Sequence, residues 1–226
     1  MRRLLLAGVA ALVLTAFSGM GASASDDGQR ARVFQPHSSL FGQSYREWAV
    51  DWFRWVAGTP TPTNPFLHPD NCGPGPNPHA WFLAGATGGN QTAHCTVPEG
   101  KGLLVSPVGN FCAGATHGVF TRRALIRCAF KDIETVTGAS LKIDGRRVPH
   151  INRFFIVSRK FPFRIPADNI FGLPAQTTPA VVIGDFIMIR PLEAGRHSVV
   201  AFVGSPVFPG GIARITFHLR VVADDD

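Results

Sequence analysis

The sequence has 226 residues, 45% of them hydrophobic, with 22 Lys and Arg against 15 Asp and Glu for a formal charge of +7. That length and apolar content suit one globular domain with a full core and exclude a disordered chain. The basic residues are scattered, in short pairs such as Arg122-Arg123 and Arg146-Arg147, whereas a nucleic-acid binder carries a clustered stripe, so no nucleic-acid partner is expected.

Met1-Arg2-Arg3, an apolar run from Leu4 to Phe17 and the small residues Ala22-Ser23-Ala24 have the three parts of a secretory signal peptide. The run is shorter than the roughly 20 residues of a membrane-spanning helix. Cleavage after Ala24 is therefore expected, giving a secreted or periplasmic protein with no transmembrane segment. The expected division is a signal peptide over residues 1–24, an N-terminal arm over 25–40, one β-rich domain over 41–222 and an acidic tail over 223–226.

The first helix is predicted over residues 45–57. Ser44 and Glu47 have the spacing of a capping box, Gly58 is placed to take a left-handed terminating conformation, and Pro60 forbids continuation. At about 100° per residue, Tyr45, Trp48, Trp52 and Trp55 fall within one arc. Ala49, Val50, Phe53, Val56 and Ala57 cover most of the remainder, which leaves Glu47, Asp51 and Arg54 as a narrow polar seam. A helix apolar nearly all round is a buried helix rather than an aromatic platform.

The stretch from Thr59 to Pro78 is a proline-dense loop in which Cys72 suggests a tether. "HAWFLAGAT" (79–87) and "GLLVSPV" (102–108) read as buried strands separated by a turn-rich segment. "TRRALIRCAFKDIETV" (121–136) carries Leu125, Cys128, Ala129 and Ile133 at helical spacing and reads as a second helix. In "LKIDGRRV", Asp144-Gly145 marks a type I′ hairpin. The last third, "RFFIVS", "AVVIGDFIMIRPL", "HSVVAFVGS" and "IARITFHLRVV", is β throughout, with short connections that suit antiparallel pairing. The fold class expected is mainly β (α+β): an antiparallel β-sandwich or jelly roll carrying a Trp-rich N-terminal helix and a second, middle helix.

Cys72, Cys95, Cys112 and Cys128 are an even set in a chain read as exported, which argues for two disulfides. Of three possible pairings, Cys72 with Cys95 and Cys112 with Cys128 closes the shortest loops. There is no C-x-x-C, and His94 beside Cys95 is not at a usual ligand spacing, so no metal is expected. No cofactor motif is present in the sequence.

Candidate chemistry is sparse. Glu47 and Asp51, with Cβ atoms about 6 Å apart on one helix face, point the same way instead of facing each other across a substrate, unlike a glycosidase pair. Lys101 in "PEGKG" and Asn110 in "PVGNF" flank one buried strand. With Trp81 and His197 they form the candidate ligand-binding set. His197 and His218, on neighbouring strands, are a conceivable pH-sensitive or metal-binding pair.

The motifs "FGQSYREWAVDWFRWVAGTP", "AWFLAG", "CTVPEGKGLLVSPVGNFC", "IDGRRV", "RFFIVSRKF", "PLEAGRHSVVAFVG" and "ITFHLRV" resemble, in order and wording, a family of exported bacterial proteins. The resemblance spans roughly residues 41–222. It implies a shared single-domain fold and brings no activity, cofactor or catalytic residue. Two functions of different class follow. One is an exported binding or cell-envelope-associated β-sandwich domain, whose partner is a small molecule, a glycan or an envelope component. The other is a secreted hydrolase with a non-standard active site drawn from Glu47, Asp51, Lys101 and the histidines.

Overall fold

The computed structural model describes residues 32–223. The expected signal peptide, the first part of the expected arm and residues 224–226 lie outside them. Strands β1 (Ser39–Leu40) and β2 (Gln43–Ser44) lead into α1 (Tyr45–Gly58). There the Ser44 hydroxyl accepts from the Glu47 N–H, while the Glu47 carboxylate accepts from the Ser44 N–H, the reciprocal cap that the sequence calls for. Gly58 does not take a left-handed turn. It ends the helix in helical conformation, and Thr59 is extended, with its N–H and hydroxyl both donating to the Trp55 carbonyl. That threonine satisfies the last turn's carbonyl without a glycine.

Two sheets follow. The first takes β3 (Gly73–Pro74), β4 (Ala80–Phe82), β6 (Gly102–Ala113), β9 (Phe155–Val157), β10 (Phe161–Ile165) and β11 (Gln176–Ile189). Its order is β10-β11-β6-β4-β3, and β9 pairs with another part of β11. The second has the order β5-β13-β12-β7-β8, from β5 (Gly89–Pro98), β7 (Gly138–Ile143), β8 (Arg146–Arg147), β12 (Gly195–Gly204) and β13 (Ile212–Val222). The helices α2 (Gly114–His117) and α3 (Arg122–Ile133) connect the sheets after β6. The molecule is thus a mainly β sandwich with helices attached. Most pairs are antiparallel, but β5 runs parallel to β13 and β4 parallel to β6. The turn-rich reading of residues 89–98 is corrected: they form a ten-residue strand. Ala93, Cys95 and Val97 face inward and alternate with exposed Thr92, His94 and Thr96, a period of two written in small and polar residues.

The helix α1 is buried as its pattern demands. Trp48 is fully buried and Trp52 nearly so, and their indole N–H groups donate to the carbonyls of Leu40 and Leu83 at 3.2 and 2.8 Å. Phe53 sits 4.7 Å, centroid to centroid, from both Phe111 and Phe163, and Trp52 packs edge-on against Phe186. The opposite face of the same sheet, carrying Cys112, Val181 and Ile183, is covered by Leu125 and Ala129 of α3. The inner face of the second sheet, including Leu141, Ile143, Val199, Ile215 and Phe217, joins the main core.

Both disulfides form as expected, Cys72–Cys95 and Cys112–Cys128. The described part of the arm is not free: Val33 bridges Ile189, and the Phe34 N–H donates to the Met188 carbonyl. Asp144 and Gly145 both have positive φ, 49° and 75°, as a type I′ turn requires. No helix among the described residues is long and apolar enough to cross a membrane.

Candidate functional site

The pairing of β6 with β11 breaks at one place. Asp185 stands opposite Val108 and Ile187 opposite Val105, so Ser106-Pro107 places an additional residue against Phe186. Pro107 has no N–H to give the ladder, which makes it a natural centre for a bulge. The Ser106 hydroxyl donates to the Val108 carbonyl at 3.1 Å. Across from it, Gly184 adopts a φ of 144°, in a region that suits glycine. The alternation of β11 continues undisturbed, so Asp185 shares a strand face with Val181 and Ile183. Those two lie beneath α3, and Asp185 emerges where that helix ends.

Asp185 there faces a cleft of about 560 Å³. Val108, Ile133, Val136, Ala139 and Phe155 wall the cleft, and the exposed residues Arg147, His150 and Asn152 stand at its mouth. The carboxyl is 5% exposed, and its buried Oδ1 has no hydrogen-bond partner among the described residues. Desolvation pushes its pKa up to about 7. A buried carboxyl of this kind pairs, protonates or meets a ligand. Near neutral pH it is therefore divided between a hydrogen-bond-donating acid and an anion.

A second lobe of about 290 Å³ shares Val108, Ile133 and Val136 with the first, and extends to Trp52 and Phe66. Its polar side chains are Thr87, Ser106, Asn110, Asp132 and Ser205. The Asn110 amide donates to the Ala129 carbonyl at 2.8 Å and to Asp132 at 3.2 Å, which ties the last turn of α3 to β6. The two cavities thus share the apolar side chains Val108, Ile133 and Val136.

The candidates read from the sequence are not gathered in one place. Asn110 lines the cleft. Lys101 stands just before β6, nine residues from Asn110, roughly 30 Å for an extended chain. Trp81, in β4, packs against the core with a buried indole N–H that has no partner among the described residues. His197 is held by the Asp144 carboxylate at 3.0 Å and by the Glu193 carbonyl at 3.0 Å. Asp144 also accepts from Arg32 at 2.6 Å and from the Ser198 N–H at 2.9 Å. Desolvation acts to raise the Asp144 pKa but is outweighed by the hydrogen bonds from His197, Ser198 and Arg32, which hold it below the usual range.

Glu47 is engaged by Ser44, whose N–H and hydroxyl hold its pKa below the ordinary value. Asp51 accepts from Gln43 at 2.7 Å and lies 3.6 Å from Arg54. The polar seam of α1 is thus a set of local tethers.

His197 and His218 do not form a pair. His218 stands opposite Ser198 and His197 opposite Leu219, so the two rings point to opposite faces of the sheet. The partner of His218 is His94, directly opposite on β5, with ring centroids 5.2 Å apart. The sulfurs of Cys112 and Cys128 and a ring nitrogen of His117 lie within 4.8 Å of one another. Both sulfurs are committed to a disulfide and are not thiolate ligands.

No protein-family model matches the chain. No curated protein matches it either. Among solved structures, a chain of "Structure of PbICP-C in complex with falcipain-2" is 11% identical over 62% of this chain and 97% of that one, with a TM-score of 0.25. A chain of "Solution Structure of Amebosin" is 11% identical over 59% and 96%, with a TM-score of 0.20. At such scores neither likeness carries an argument, and the functional reading rests on the cleft itself.

Asp185 was legible only in part. In "AVVIGDFIMI" it is the one charge inside a continuous apolar run, directly after a glycine. Such a residue is either an error of register or a buried functional group.

Proposed function

We propose that this chain is an exported β-sandwich binding protein that holds a small amphipathic molecule in the two-lobed cleft, its polar head at Asp185 and its apolar body along Val108, Ile133 and Val136. The observation that carries this reading is the unpartnered Asp185 oxygen facing a walled cleft large enough for a ligand. Two disulfides, which persist in oxidising compartments, support an extracytoplasmic setting. Binding is favoured over hydrolysis by the Glu47 and Asp51 pair because both carboxylates already serve the helix and its approach.

The test is a thermal-shift screen of small amphipathic amines, alcohols and acids against wild type, Asp185→Asn and a cleft-filling Ala139→Leu. A ligand at one hundred times its Kd stabilises the folded state by about 2.7 kcal/mol. At least one class is expected to stabilise wild type, with the shift reduced in both variants. Silence across the screen, or shifts untouched by both substitutions, overturns the reading.

A further inference from the structure

Four of the basic residues that are scattered in sequence, with two histidines, are gathered by the second sheet. On its outer face, Arg196 of β12 stands directly opposite Arg220 of β13, and His94 of β5 directly opposite His218. Arg214 lies on the same face, with its guanidinium 5.4 Å from the centre of the Phe202 ring, and Lys142 of β7 stands opposite Val200. The inner positions of these strands are buried and apolar, so strand alternation sends all six basic groups outward.

Like charges placed directly across a strand pair are destabilising. None of Lys142, Arg196, Arg214 or Arg220 is ion-paired among the described residues. Of the described acids at the margins, only Asp144 is ion-paired, and Asp70 and Glu99 each accept a backbone N–H. Asp144 holds Arg32 and His197, Asp70 accepts from the His94 N–H at 2.6 Å, and Glu99 accepts from the Ala194 N–H at 3.2 Å. Among the described residues the face is therefore a cluster of cations without ion-pair partners, kept against a stability cost, which is the pattern of a surface retained for binding.

We propose that this face binds a linear acidic polysaccharide. Charge complementarity fixes the sign of the partner. Its chemistry follows from what lies between the cations: the hydroxyls of Thr92, Thr216, Ser198 and Ser140, together with two imidazoles, suit carboxylates and sugar hydroxyls in alternation. A membrane fits less well, because the face carries no exposed apolar wedge. Phe202 is half-buried beneath Arg214 and Val200 is half-buried in the sheet. The basic residues Arg196, Arg214, Arg220, His94 and His218 do not line the Asp185 cleft, and Arg147, opposite Lys142, lies between the two.

The test measures binding of the full chain to sodium polygalacturonate, to uncharged dextran and to phosphatidylglycerol vesicles. Polygalacturonate is expected to bind with an affinity that falls as salt rises. Dextran is expected not to bind. Arg196→Ala/Arg220→Ala should weaken polygalacturonate binding at least tenfold, whereas Arg122→Ala/Arg123→Ala on α3 should not. Arg220→Glu, which places a carboxylate opposite Arg196, should abolish binding while leaving the melting temperature unchanged or higher, so that lost binding is separable from lost folding. Equal losses in both double variants, or vesicles bound more tightly than polygalacturonate, overturn the proposal.

Discussion

Gly184 approaches Val108 so closely that a Cβ at residue 184 would overlap the Val108 carbonyl oxygen and lie 2.7 Å from the Gly109 Cα. The contact is backbone on backbone, so no side-chain rotation relieves it. Gly184→Ala also meets an unfavourable φ. We expect a loss of about 2–6 kcal/mol, from strain of about 1–3 kcal/mol together with overpacking of similar size, read as a lower urea midpoint at unchanged m-value. A loss below about 0.5 kcal/mol, the scale of an ordinary surface substitution, would show that the strands can separate there.

The Asp185 carboxyl makes stability depend on pH in a stated direction. Its folded-state pKa of about 7 lies above the ordinary 3.8, so the folded protein holds the proton more tightly than the unfolded chain. Its contribution is complete below pH 4 and is lost as pH rises through 7. The loss is about 4 kcal/mol, three units at about 1.4 kcal/mol each. Asp185→Asn cannot ionise and should be more stable than wild type at pH 8, with the advantage shrinking towards pH 4. Parallel stability curves for the two proteins between pH 4.5 and 8 would refute this.

Trp48 and Trp52 are 0% and 4% exposed. Emission of the folded protein should be blue-shifted and only weakly quenched by acrylamide. Trp48→Ala should cost about 3–5 kcal/mol through the cavity it leaves. Red, fully quenchable emission would mean that α1 stands away from the sheet.

The Cys72–Cys95 bridge closes a 23-residue separation and holds the proline-rich loop against the free edge of β5, where Asp70 accepts the His94 N–H. Cys72→Ala/Cys95→Ala should lose about 3 kcal/mol by loop entropy and also expose an edge able to pair with another chain. Denaturation and light scattering test the two effects separately. Lost stability with unchanged aggregation would leave the bridge as an entropic staple and nothing more.

Much of the fold can be read locally. The capping box of Ser44 and Glu47, the Asp144-Gly145 turn, the alternation from Ile215 to Val221 and the helix at Leu125 and Ala129 each depend on residues within a few positions of one another. What escaped depends on register between distant segments. The strand around Cys95 is recognisable only beside β13, and the pairing of His218 with His94 follows from a parallel alignment that spacing cannot supply. Asp185 falls within a stretch whose composition marks a strand, but its role depends on a bulge in another strand and on the end of a helix. The same holds for Arg196 and Arg220, whose opposition exists only once β12 and β13 are aligned.

The central place of β13 in its sheet has a kinetic consequence. It is the last described strand, yet it separates β5 from β12, and β5 precedes it by most of the domain. Until β13 inserts, β5 lacks its one strand neighbour among the described residues and β12 keeps an open edge. Closing so distant a contact is slow. The sheet should therefore consolidate as a single late event, and a chain cut before Ile212 should be recognised by proteases as unfinished.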